Sequence, residues 1–148
     1  MPLPYFGVVW FLLHLWLGVI SFASSKITEI VGLEKTLCLL PVLIFLAYIV
    51  LSLVDSLWGL AALFLLYFVR GVRMPLTRTL LQEQTTSDIR ATTISVGQFA
   101  SSLLFVAIGP FLGWASDAYS LSVAFMLTGA IYLILGAFST VSLLRRMV

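Results

Sequence analysis

The sequence predicts an all-α fold: a polytopic membrane bundle of five transmembrane helices, forming one domain over residues 1–148. Three observations predict it. Of the 148 residues, 61% are hydrophobic and 9% are charged, against roughly half and a quarter in soluble domains. The apolar residues gather into runs long enough to cross a hydrocarbon layer about 30 Å thick, which takes about 20 helical residues. The basic residues lie in short clusters between those runs, on alternate sides. This is the pattern of a membrane topology rather than of a nucleic-acid patch, although the net charge is +2.

The first span is predicted over Pro4–Ser24. No positive charge precedes Lys26, so this stretch reads as a retained span and not as a cleaved secretory signal. The second is predicted over Leu37–Val54. The third begins at Leu57 with 13 uninterrupted apolar residues, which reach only about 20 Å. Its helix must therefore continue through Arg70, Arg73 and Pro75 to about Gln84, placing Arg70 within the membrane layer or at its inner edge. The fourth and fifth spans are predicted over Ala91–Trp114 and Leu121–Leu144. Pro41 and Pro75 each remove a backbone donor inside a span and are expected to bend it. Cys38, the single cysteine, excludes an internal disulfide and is expected to be a buried apolar filler.

The connections Ser25–Thr36, Asp55–Ser56, Thr85–Arg90 and Ala115–Ser120 are too short for a soluble domain. Lys26 and Lys35 mark the first, Arg78 and Arg90 flank the third, and Arg145 and Arg146 close the chain. The second and fourth carry only Asp55 and Asp117. Since positive charge is retained inside, the expected location is the plasma (cytoplasmic) membrane, with the N-terminus outside and the C-terminus cytoplasmic.

Helices associate in lipid through small and polar residues, so polar stripes mark inward faces. Gly7, His14, Gly18, Ser21 and Ser25 share one face of the first span. Ser95, Gln98, Ser102, Gly109 and Gly113 do so on the fourth, and Arg70, Arg73, Thr77, Leu81 and Gln84 extend the pattern to the third. Spans one, three and four are thus expected to line an interior, with two and five nearer lipid. An arginine at membrane depth is costly unless it faces water, a partner or a solute, which makes Arg70 a candidate cavity residue. Arg73 is either a second such residue or a snorkelling one. His14 either handles a solute or proton, or bonds a neighbouring helix; Gln98 is either a ligand contact or interhelical glue. Gly109-x-x-x-Gly113 reads as a close-packing motif.

No phosphate-cradling loop, HExxH, GxSxG or CxxC occurs, there is one histidine, and the six carboxylates lie in connections or near span ends. A membrane hydrolase would need converging nucleophile, base or metal ligands, so neither an enzyme nor a metal or cofactor is expected.

Three local patterns resemble the major facilitator superfamily, and specifically the last five of its twelve helices. Arg70-Gly-Val-Arg-Met-Pro75 through Glu83 to Arg90-Ala91 resembles that family's out-to-in helix with its glycine–proline pair, terminal acid and following loop. Gly109-Pro110 through Gly113-Trp114 to Asp117, then Ala124-Phe125, is similar to the join of its last two helices. Ser25-Lys26 through Glu29 and Gly32 to Lys35 stands where a charged loop recurs in the family; here Ser25 replaces the leading glycine and the arginines are missing. The resemblance implies a partial C-terminal bundle, lacking an N-terminal helix bundle and helix seven. It further implies a secondary transporter moving a small solute by alternating access, with Arg70, Arg73, His14 and Gln98 as candidate solute contacts. The rival expectation is a non-transporting membrane scaffold or an inactive truncated piece.

Overall fold

The structure is a computed structural model that describes residues 3–54, 58–84 and 87–147. It contains five helices in chain order: α1 (Leu3–Val31), α2 (Leu33–Leu53), α3 (Gly59–Gln84), α4 (Ser87–Ala118) and α5 (Leu121–Met147). All five are long and apolar enough to cross a membrane, and no strand occurs among the described residues. The predicted connection at Asp55–Ser56, Leu57 at the start of the third span, and Thr85 lie outside the described residues.

Helices replace most of the predicted connections. Residues 25–31 continue α1, and a single residue, Gly32, separates it from α2. The end of an apolar run was the sequence signal, but a helix does not stop where it leaves hydrocarbon. Its hydroxyls are satisfied within the helix: Ser24 Oγ donates to Ser21 O at 2.8 Å and Thr28 Oγ1 to Ser24 O at 2.9 Å. The break comes at Gly32, whose φ of 88° lies in the left-handed region that a side chain disfavours. Its N–H donates to Thr28 O and its carbonyl accepts from Thr36 N, so one residue closes α1 and opens α2. Likewise α4 runs on to Ala118, leaving Tyr119 and Ser120 as the connection to α5. Ser120 caps α5 by accepting the Val123 N–H at 3.3 Å.

The helices sit side by side in the order α1, α3, α2, α5, α4, each packed mainly on its neighbours in that series. This corrects the expectation that spans two and five lie outermost. α2 is the middle of the bundle, and α4 packs chiefly on α5 with no residue of its most apolar stretch buried. The reason is steric. On α5, a Cβ added at Gly129 would come within 2.9 Å of Tyr48 Cβ, and one at Gly136 within 2.7 Å of Pro41 Cβ, so these glycines let α5 close on α2. Between α1 and α3, Gly71 does the same against Ile20 and the Leu17 carbonyl. Gly109 and Gly113, by contrast, have nothing within 4 Å of an added Cβ. The close-packing motif of the sequence is not a packing site here, and Cys38 is exposed rather than buried. The core itself is Ile20, Leu40, Val69 and Val72, with Ile44, Phe68 and Leu76 against it.

Pro41 has a consequence across the α2–α5 seam. Lacking an N–H, it leaves the Leu37 carbonyl without its helical donor. Thr140 of α5, nearly buried, supplies one: its Oγ1 donates to Leu37 O at 3.2 Å. Thr140→Val is expected to lower stability in detergent by about 1 kcal/mol, the net value of such a bond. In a Pro41→Ala background, where Leu37 O regains its backbone donor, that loss should shrink. Equal losses in both backgrounds of a double-mutant cycle would show that Thr140 acts independently of the proline gap.

Candidate functional site

On α3, Tyr67, Arg70, Met74 and Thr77 share one face by helical periodicity. The Tyr67 ring lies 5.4 Å from the His14 ring of α1, and Trp10 completes the cluster at 5.3 Å from His14. Two turns further along α1, Ser21 lines a cleft with Met74 and Arg78. The polar stripes of α1 and α3 do not line one interior: Arg73, Thr77 and Leu81 of α3 line a cleft with α2 and α5, whereas the α3 residues that meet α1 are Tyr67, Met74 and Arg78. His14 Nδ1 lies 2.9 Å from Trp10 O, one turn back in its own helix. In the tautomer that donates this bond, Nε2 remains an acceptor. Trp16 Nε1 reaches across to donate to Phe64 O at 3.2 Å and helps lock α1 on α3.

Two clefts lie further along the bundle, and Arg73 lines both. The first, of about 520 Å³, runs between α2, α3 and α5 past Leu40, Ile44, Thr77, Tyr132 and Ser139. The second, of about 510 Å³, is walled by Tyr48 of α2, Ser101, Phe105 and Gly109 of α4, and Phe125, Thr128 and Tyr132 of α5. Both have the volume of small-molecule sites. Tyr48 and Tyr132 stack with centroids 6.0 Å apart and planes 10° from parallel, and Phe125 flanks Tyr48 at 6.2 Å. Among the described residues, no carboxylate forms an ion pair with Arg73. Arg73 is exposed, so its guanidinium is open to water, to a ligand or, by snorkelling, to the membrane interface.

Of the four residues singled out in the sequence, Arg73 lines the clefts. Arg70, exposed on α3 as Arg73 also is, lines none of these three clefts, His14 belongs to the α1–α3 aromatic cluster, and Gln98 is exposed on α4 and lines neither of the two larger clefts. The four do not converge on one point. Tyr48, Thr128 and Tyr132 were missed because their spans read as apolar nearly all round. Their hydroxyls inside apolar runs, with Phe125, Thr128 and Tyr132 at i, i+3 and i+7 on one face, were the available signal.

The fold and site define an all-helical bundle compatible with a multi-pass membrane protein, carrying a cationic, aromatic-walled cleft. Comparison with known proteins finds no match: no family model, curated protein or solved structure aligns with the chain.

Proposed function

We propose that the chain forms part of a secondary active transporter, which moves a small solute across the plasma membrane by alternating access. The observation that carries this reading is Arg73, an intramembrane cation standing where two clefts meet. A helix facing lipid has no use for such a charge, whereas a solute pathway does. The local resemblance to the last five helices of the major facilitator superfamily agrees with it. In that arrangement two helix bundles rock about a site near the bilayer midplane, and a further N-terminal helix bundle would cover the open side of this one.

Reconstitution in proteoliposomes of the full gene product, with any helix bundle that completes this one, followed by uptake profiling over a panel of small solutes, tests the reading. Saturable uptake that Arg73→Ala abolishes would support it. Uptake indistinguishable from protein-free vesicles across the panel would favour the second reading, a non-transporting scaffold or truncated piece. One observation favours that second reading: α4 presents Ser95, Gln98 and Ser102 outward, with Gly109 and Gly113 open to contact. Small and polar residues facing lipid are what a helix offers to another helix.

The proposed topology puts the N-terminus outside and the C-terminus in the cytoplasm. With Cys38→Ser as background, cysteines introduced by Lys35→Cys and Asp55→Cys should label from opposite sides of oriented vesicles. Labelling of both from one side would refute the orientation.

A further inference from the structure

We propose that the hollow around Arg73 binds an amphipathic organic anion, with its acidic head on the guanidinium and a planar apolar body against the Tyr48–Tyr132 pair. The inference deepens the transport reading and rests on it for its purpose, though not for the binding itself. Three features of the hollow select this class. Its cation is an arginine without a carboxylate partner among the described residues, so a bound cation would be repelled and a bound anion would meet a free fork of donors. The facing wall is aromatic: Tyr48 and Tyr132 stack nearly parallel, Phe125 flanks Tyr48, and Phe105 of α4 lines the cleft with them. A flat ring system is the shape such walls accept, since offset stacking adds attraction beyond area burial. The remaining polar groups, Ser101 and Thr128, direct their own hydroxyls elsewhere or inward: Ser101 Oγ donates to Gly97 O at 2.9 Å and Thr128 Oγ1 to Ala124 O at 2.7 Å. That leaves Arg73 and the tyrosine hydroxyls to bind a polar head, and argues against a polyhydroxylated solute, which needs many free partners.

The volume fits as well. About 510 Å³ accommodates a fused bicyclic acid and exceeds the needs of an inorganic anion.

The probe is 2-naphthoate, with neutral 2-naphthamide and cationic 2-naphthylmethylammonium as matched controls, titrated against the whole chain in phosphatidylcholine nanodiscs. Saturable binding of 2-naphthoate, and of neither control, is expected. Arg73→Ala should weaken it at least about tenfold, as removal of a charge-assisted bond does. Arg73→Lys should give an intermediate loss, because it keeps the charge and loses the fork. Tyr132→Ala should weaken it by about threefold to tenfold through the lost ring contact. If Arg73→Ala does not fold, as judged by helicity and monodispersity, Arg73→Gln takes its place with the same expectation. Equal binding of 2-naphthoate and 2-naphthamide, or binding unchanged in every Arg73 variant, would overturn the proposal. Loss of 2-naphthoate binding when phosphatidylglycerol is added would overturn it too, by assigning Arg73 to lipid phosphate. Counterflow of 2-naphthoate in proteoliposomes separates the site from the transport reading. Arg73-dependent binding without counterflow would support the site and remove transport of this class, whereas absence of binding overturns the site whatever other solute is moved.

Discussion

Arg73→Ala is expected to raise the stability of the chain and, if the proposed transport reading holds, to remove its solute uptake. An arginine within a membrane helix costs up to about 2.5–3.5 kcal/mol on insertion scales, the full value applying at the helix centre. No ion pair among the described residues offsets that for Arg73, and the two clefts it lines supply neither a carboxylate nor a second cation. Removing it therefore takes away a burden on the fold. If the charge is retained because a solute pathway needs it, uptake should fall by about tenfold or more, the value of one charged hydrogen bond. The two readouts must move in opposite directions. A fall in stability would mean that the guanidinium holds the helices together and is structural. Arg70→Ala should have the smaller effect on uptake, since Arg70 lines neither of these clefts. Equal losses at both positions would move the site toward the α1–α3 aromatic cluster.

Gly136→Leu is expected to separate α5 from α2. A Cβ at this position would fall 2.7 Å from Pro41 Cβ and 2.8 Å from its Cγ, distances that real Cβ atoms do not occupy. The opposing atoms belong to a pyrrolidine ring fixed within a helix, so they cannot swing away as the end of a long side chain would. The helices must move apart instead, and with them Thr140, which satisfies Leu37 O. Overpacking of this kind costs about 1–3 kcal/mol, and Gly136→Ala should already show part of it. Because Tyr132, Leu135 and Gly136 line the cleft beside Arg73, the same change should also weaken any binding there. Gly109→Ala and Gly113→Ala are the matched controls: both positions are open, and alanine is the better helix former, so stability should stay constant or rise. Chemical denaturation in a mild detergent measures all four. A Gly136→Leu protein as stable as its parent would show that the α2–α5 seam is not as close as described.

These two seams mark the boundary of what the sequence made legible. Five apolar runs separated by short charged segments were enough to place five helices, and the argument that 13 apolar residues are too few carried α3 correctly through Arg70, Arg73 and Pro75. The ends of the helices were less legible, because hydropathy reports where hydrocarbon stops and not where hydrogen bonding stops. The single-residue break at Gly32 was not legible either, since only its backbone conformation distinguishes it from the other glycines. Packing order was not legible. Polar stripes report which faces are ill suited to lipid, but the closest contacts form where a glycine meets a bulky partner, as Gly136 meets Pro41 and Gly71 meets Ile20. Neither pair leaves a periodic signal. At the candidate site, the arginines were visible as charges in an apolar context. The tyrosines that wall the clefts were hidden because they were counted with the apolar residues of their spans.

The central claim is that Arg73 faces a water-accessible hollow rather than lipid. Its most direct test is the reaction rate of Arg73→Cys, in a Cys38→Ser background, with a charged methanethiosulfonate reagent in proteoliposomes. Phe22→Cys and Phe138→Cys serve as lipid-facing references, being 92% and 77% exposed on the outside of the bundle. Modification at position 73 at least about tenfold faster than at either reference is predicted, since thiolates form in water and not in hydrocarbon. A rate at position 73 as slow as at the references would contradict the account.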